Sequence, residues 1–259
     1  MRSFDLIGKV AVVTGSSRGI GRAIAGAIAE AGGTVVVSSR KQTACDAAAA
    51  EINAALGAER AIAIAASISD KAALQAMIDE TRARLGPIDI LVCNAATNPY
   101  YGPLLEIGDA EFRKVLENNV LASHWLVQMV APDMIERRGG AIIVVSSIGG
   151  LLGSDLIGAY NISKAADFQL VRNLAVELGR HRIRVNAIAP GTIRTDFARA
   201  LYEDPKTEAE LNRATPLGRI GEPGDIAGAA VFLASEAGAY MTGQAVVIDG
   251  GFTIGRTSA

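Results

Sequence analysis

The chain has 259 residues, 50% of them apolar and 20% charged, with 28 glycines and only 5% aromatics. That length can bury a large core without disulfide staples or a structural metal, and the apolar share excludes a disordered or tail-like protein. A net charge of −2 and a pI near 5.8 provide no general attraction to nucleic acid or to an anionic membrane surface, so neither is expected as a partner.

Short β-branched runs alternate with longer Ala-rich stretches along the chain. Residues 10–13 read as a buried strand and 21–31 as a helix, with Ile20, Ile24 and Ile28 at every fourth position. Residues 35–38 predict a second strand, 43–56 a helix stopped at Gly57, and 61–65 a third strand. Ser69 is placed to cap a helix reaching Leu85, which Gly86 and Pro87 break before a fourth strand at 88–93. Asp109 is placed to cap a long helix through about Met129, 141–145 is a fifth strand, and 154–178 contains another long helix. Residues 184–188 and 245–248 complete the strands, with a helix near 225–233 between them.

Strands separated by helices of about 10 to 20 residues need crossover connections, hence a parallel sheet covered on both faces. The expectation is an α/β fold: a doubly wound, seven-stranded parallel sheet in three layers. No linker or composition break divides residues 1–259, so a single domain is expected. The polar stretch at about 192–216 reads as irregular chain, and loops of that length are usually functional; it is expected to be a substrate lid.

After the first strand the chain runs Thr14, Gly15, Ser16, Ser17, Arg18, Gly19, Ile20, Gly21. Glycines there let the backbone turn sharply and approach a pyrophosphate, and the following helix N-terminus offers free N–H groups. The alternative, a purely structural turn, is weakened by the strand–turn–helix setting, which favours a dinucleotide site. The second strand ends Ser38, Ser39, Arg40, Lys41, with no acid to accept from ribose hydroxyls. Arg40 can hold a 2′-phosphate in a forked contact, Ser39 can donate to it, and Arg18 is within possible reach. NADP(H) is therefore expected, with NAD(H) as the alternative.

Tyr160 and Lys164 are four apart and share a helix face, and Ser147 stands thirteen residues before the tyrosine. A phenol ordinarily ionises near pH 10, and a nearby ammonium favours its phenolate. Tyr160 can then exchange a proton with a carbonyl or alcohol oxygen, and Ser147 can donate to that oxygen. An isolated Tyr-x-x-x-Lys is usually a surface pair; its company upstream argues for chemistry.

With these motifs in order, the sequence resembles the short-chain dehydrogenase/reductase family in its compact single-domain branch, from Lys9 to Gly251. The resemblance implies a Rossmann-type fold and assigns catalytic roles to Asn119, Ser147, Tyr160 and Lys164. Tyr160 is the acid–base; Lys164 acidifies it and binds the nicotinamide ribose. Ser147 orients the substrate, and Asn119 holds a water that relays protons from Lys164. The cofactor is implied to contact Gly15, Ser17, Arg18, Gly19, Ile20 and Gly21 in the turn, and Asn94, Ala95 and Ala96 after the fourth strand. Pro190, Gly191, Ile193 and Thr195 border the nicotinamide. Two departures are visible: Ala96 replaces a glycine, and Ser67 with Ile68 replaces an Asp-led adenine contact. Residues 36–42 and 94–102 are similar to the NADP-dependent, tetrameric carbonyl/retinal reductases of animals, and the family's paired helices imply a homotetramer.

Cys45 and Cys93 are too few for a disulfide framework, and with only His124 and His181 beside them no metal site is expected. Cys93 reads as an inert buried thiol, and His124, Trp125 and His181 as packing or capping residues. The substrate pocket is expected from Tyr100, Tyr101, Leu152, Leu156, Ile157, Phe197 and Tyr202, apolar enough for an uncharged carbonyl, although Arg194 and Arg199 could read a carboxylate. No secretory segment or peroxisomal C-terminus is read, so the cytoplasm is expected. The leading function is an NADP(H)-dependent carbonyl reductase or secondary alcohol dehydrogenase acting on a small molecule. The alternatives are an NAD(H)-dependent alcohol dehydrogenase and a non-catalytic nucleotide-binding scaffold or sensor. A nucleotide-sugar epimerase would want a longer C-terminal part, and an enoyl-thioester reductase a wider Tyr–Lys spacing.

Overall fold

The computed structural model describes residues 2–255. The C-terminal residues on which the peroxisomal reading rests, 256–259, lie outside the described residues. Strands β1 (Val10–Thr14), β2 (Thr34–Ser38), β3 (Ala61–Ala63), β4 (Ile90–Cys93), β5 (Gly140–Val145), β6 (Ile183–Pro190) and β7 (Ala245–Ile248) form one parallel sheet. Their order is β3-β2-β1-β4-β5-β6-β7. The helices are α1 (Gly19–Glu30), α2 (Gln42–Leu56), α3 (Lys71–Leu85), α4 (Asp109–Leu116), α5 (Ala122–Arg137), α6 (Gly158–Leu178), α7 (Pro205–Ala214) and α8 (Pro223–Ala234).

Three layers follow from how strand residues alternate. Val10 and Val12 pack with Leu74 and Ile78 of α3, Leu126 and Val130 of α5, and Val171 of α6. Ala11 and Val13 point the other way, onto Ile24 and Ile28 of α1, Ile52 of α2 and Ile226 of α8. Both faces of the sheet are covered, which is why its strands read as unbroken apolar runs. The strand order reverses between β1 and β4, and the crevice at the carboxyl ends of strands beside such a reversal is where open α/β sheets bind ligands.

Several boundaries differ from the sequence expectation for identifiable reasons. Asp70, not Ser69, caps α3, because its carboxylate accepts from the N–H groups of Ala72 and Ala73. Asp89 lies before β4 rather than in it; its carboxylate accepts from Val10 N–H at 2.9 Å and pairs with Arg137 at 2.8 Å. The helix expected from Asp109 to about Met129 is instead α4, a π-helical turn (Glu117–Leu121) and α5, which runs through Pro132 to Arg137. Gly108 precedes it as the cap residue and Asp109 is its first helical residue. The stretch 192–216 is not irregular throughout. It contains a 3-10 segment (Asp196–Leu201) and α7, which Asp204 caps through Thr207 N–H and Pro205 opens.

Candidate active site

The glycine turn is built for close approach. Gly15 and Gly19 have φ of +65° and +58°, in the left-handed region that side chains avoid. A Cβ on Gly15 would lie 2.9 Å from the Ala95 Cα, and one on Gly21 would strike the Asn94 amide and the Gly15 carbonyl. The first turn of α1 carries no acidic residue, and its cap residue, Arg18, makes no side-chain capping bond. Its N–H groups are thus left for an anion, so the turn fits a pyrophosphate. Ser17 and Ile20 sit half-buried in this turn, with Ile20 packed on the core.

Asn94 locks that turn to β4. Its Nδ2 donates to the Thr14 and Gly15 carbonyls at 2.9 and 3.1 Å, while Thr14 Oγ1 accepts from the N–H groups of Asn94 and Ala95. Its side chain therefore shapes the cradle. Ala95 and Ala96 follow it, half-buried, along the same crevice.

At the end of β2, Ser39 is half-buried and its Oγ lies 3.1 Å from Cys45 Sγ, which also accepts from the Ser39 N–H. Arg40 and Lys41 are exposed and, among the described residues, make no ion pair. Arg18 is committed elsewhere: its Nη1 pairs with Asp196 at 2.9 Å, linking the glycine turn to the 192–216 segment. Beyond β3, Ser67 Oγ accepts from Ser69 N–H and Ile68 is buried.

The residues that the sequence marks for proton transfer gather at the carboxyl ends of β4 and β5. Ser147 follows β5; its Oγ accepts from Gly149 N–H at 3.0 Å, which leaves its own hydrogen free to donate. Tyr160 and Lys164 project from α6, with Lys164 Nζ 5.6 Å from the tyrosine ring centroid. Lys164 is buried at 3% exposure and donates to the Val145 carbonyl at 2.9 Å and to Asp167 Oδ2 at 3.1 Å. Burial works to strip the ammonium of its proton, but the charges of Asp167 and Tyr160 and the Asp167 hydrogen bond raise it above the ordinary lysine range. Burial likewise pushes the Asp167 carboxyl up, against the opposing pull of Lys164.

Asn119 sits in the π-helical turn, where an extra residue re-aims the backbone. Its side chain is fully used: Oδ1 accepts from Thr97 N–H at 2.8 Å, and Nδ2 donates to the Thr97 carbonyl and to Ser163 Oγ at 3.0 and 2.9 Å. Any water it holds must meet its carbonyl, which already accepts from Ser123 Oγ at 3.2 Å.

On the far side, Pro190 ends β6, and a Cβ on Gly191 would lie 2.8 Å from the Asp249 Cα. Ile193 is buried and bridges to Gly221, and Thr195 caps the 3-10 segment by accepting from Ala198 N–H. Phe197 places its ring 5.9 Å from that of Tyr160. Tyr101, Leu152 and Leu156 are exposed and Ile157 half-buried, with Gly102 N–H donating to the Leu156 carbonyl so that the two loops are joined. Tyr100 donates to the Pro103 carbonyl and Tyr202 to that of Thr195. Arg194 pairs with Glu208 and Glu222, and Arg199 with Asp196.

Sequence reasoning overlooked Thr97, Ser163, Asp167 and Asp196. Asp167 had a signal: an acid three residues after Lys164 must share its helix face. Cys93 is buried and its thiol is pushed up to about 12, chiefly by burial, as an unreactive cysteine should be. Among the described residues no group of three or more metal-ligating side chains gathers, and no helix is long and apolar enough to cross a membrane.

Comparison with known proteins adds an independent line. A family model described as enoyl-(acyl carrier protein) reductase matches residues 15–253. Dehydrogenase/reductase SDR family member 4 of Bos taurus is 42% identical over 252 residues, which cover 96% of this chain and 89% of that protein. The structure of a 7α-hydroxysteroid dehydrogenase complexed with NADH and 7-oxo glycochenodeoxycholic acid matches with a TM-score of 0.92 at 38% identity, over 99% of this chain and 98% of that one. That of a gluconate 5-dehydrogenase from Burkholderia cenocepacia, in complex with NADP and tartrate, matches with a TM-score of 0.92 at 34% identity, over 98% of each chain.

Proposed function

The chain belongs to the short-chain dehydrogenase/reductase family, and from that premise we propose that it is an NADP(H)-dependent oxidoreductase of carbonyls and secondary alcohols, with Tyr160 as the proton donor and acceptor. The observation that carries this reading is the Lys164 ammonium, buried one helical turn from Tyr160 and 5.6 Å from its ring. NADP(H), when bound, supplies or takes up the hydride. Gly15, Gly19 and the α1 N-terminus hold its pyrophosphate. Ser39 and Arg40 hold its 2′-phosphate, and Ile193 N–H with Thr195 Oγ1 orients its carboxamide. Ser147 donates its free hydroxyl hydrogen to the substrate oxygen, and Tyr160 gives that oxygen a proton during reduction or removes one during oxidation. Lys164 keeps a positive charge beside the phenol.

Arg194 and Arg199, the two arginines that could have read a carboxylate, are both committed to ion pairs. With Phe197 and Tyr101 exposed beside the site, this supports an uncharged, apolar carbonyl as substrate and the segment as its lid. The enoyl reduction named in the matching family model is less favoured, because only three residues separate Tyr160 from Lys164.

The cofactor is tested with a panel of ketones, β-ketoesters, steroids and sugars, following loss of nicotinamide absorbance with NADPH and with NADH. NADPH is expected to give the higher kcat/KM, and Arg40→Glu to lower that value by about 10-fold or more, since a forked charge contact becomes a repulsion. A wild-type preference for NADH would remove the NADP assignment.

A homotetramer working in the cytoplasm is the proposed form. Ile162 and Val176 lie on one face of α6, about four turns apart, and are 42% and 86% exposed. Light scattering at micromolar concentration is expected to give four chains per particle; a monomer would count against it.

A further inference from the structure

Asp167 has no part in the roles assigned so far, yet it is 0% exposed and lies in the interior of α6. An aspartate is a poor helix former, and burying a carboxylate is costly unless it is paired. It is paired, with Lys164 at 3.1 Å through Oδ2; the Ser146 hydroxyl also acts on the carboxylate, yet Oδ1 is buried without a hydrogen bond of ordinary geometry. A half-satisfied buried carboxylate is not what a helix would keep for stability alone.

We propose that Asp167 is a positioning residue of the proton-transfer pair: its carboxylate fixes the Lys164 ammonium against β5 and offsets part of its charge, and so sets the pH range in which Tyr160 exchanges its proton. This rests on Tyr160 being the acid–base. The second anchor of Nζ, the Val145 carbonyl at 2.9 Å, is neutral, so among the described residues Asp167 supplies the only full charge bonded to it. The titratable groups that act on Lys164 among the described residues are Asp167 and Tyr160 from α6 and Cys93 from β4. Cys93 keeps its proton up to about pH 12, and the π-helical turn contributes the neutral Asn119. With Tyr160 in the protonated form that reduction needs, Asp167 is the one anion among the described residues of the cluster.

The sign follows from that. A carboxylate bonded to the ammonium favours its protonated form and offsets its field at the phenol beyond, so removing the carboxylate lowers the pH at which Lys164 loses its proton. Carbonyl reduction needs the proton on Tyr160 and the charge on Lys164. The alkaline limb of its pH profile must therefore move down when the anion is removed.

The test is Asp167→Asn, which keeps the shape and removes the charge. Ionisation of Tyr160 is read as the near-ultraviolet phenolate absorbance that is lost in a matching Tyr160→Phe protein, so no substrate is needed. The step is expected about one pH unit lower in Asp167→Asn than in the native chain. A superimposable step, or one moved to higher pH, overturns the proposal. Should the Asn protein fail to fold, Asp167→Ser removes the same charge with less bulk and is read the same way. The two ideas fail separately: an unmoved step with an inactive Tyr160→Phe sinks only the role of Asp167, whereas a fully active Tyr160→Phe sinks the acid–base reading beneath it.

Discussion

Tyr160→Phe is expected to lower turnover by about 10² or more while leaving NADPH binding largely intact. The substitution removes one oxygen and keeps the ring that packs against Phe197 at 5.9 Å. None of the packing that places α6 on the sheet depends on the hydroxyl, because the buried contacts of that helix come from Phe168, Val171 and Leu174. Lys164 likewise stays in place, since Val145 and Asp167 hold it rather than the phenol. What is lost is the proposed carrier of a proton to the substrate oxygen, and Ser147 cannot replace it: a serine hydroxyl can donate a hydrogen bond but is far too weak an acid to deliver a proton at neutral pH. Steady-state kinetics beside a fluorescence titration of NADPH separates the two effects. Unchanged turnover would reject the proposed mechanism, and loss of both turnover and binding would show that the phenol holds the cofactor site together.

Gly21→Ala is expected to weaken NADPH binding by about 10-fold or more and to cost roughly 1–3 kcal/mol of stability, the scale of forcing a methyl into a packed site. The new Cβ would collide with Asn94 Nδ2 and with the Gly15 carbonyl, the two groups whose hydrogen bond holds the glycine turn against β4. One of them must move, and either movement deforms the surface proposed to cradle the pyrophosphate. Gly26→Ala provides the contrast on the same helix. Nothing lies within 4 Å of a Cβ there, so a gain of about 0.5–1 kcal/mol is expected from the better helix former. Thermal melts of the two proteins should therefore shift in opposite directions, and only the first should lose affinity for NADPH. A Gly21→Ala protein that binds as tightly as the native chain would mean that the turn does not serve as the cradle.

Much of this was legible in the sequence because it depends on local or periodic features. Seven strands fall within a few residues of the apolar runs that announce them: a strand buried on both faces, as β1, β4 and β5 are, has no choice but to be apolar, and the edge strand β7 is apolar although half-exposed. Helix ends were less legible where two capping residues adjoin, as at Ser69 and Asp70, because which one turns its side chain inward depends on the chain before it. Helix α7 was missed for a different reason. Its residues are polar on nearly every side and it buries no side chain, so no apolar stripe marks it, although Asp204 and Pro205 are an ordinary helix opening.

The sequence by itself determined the layers of the fold, the glycine turn at the end of β1 and the helical pairing of Tyr160 with Lys164, because each follows from residue type and a spacing of a few positions. Only the tertiary structure decided what those residues touch. Arg18 is taken by Asp196, 178 residues away, Asn119 is spent on Thr97 and Ser163, and Lys164 is held between β5 and Asp167. Such partnerships depend on which side chains the sheet brings together and on which bonds a buried polar group must make, and spacing along the chain carries neither.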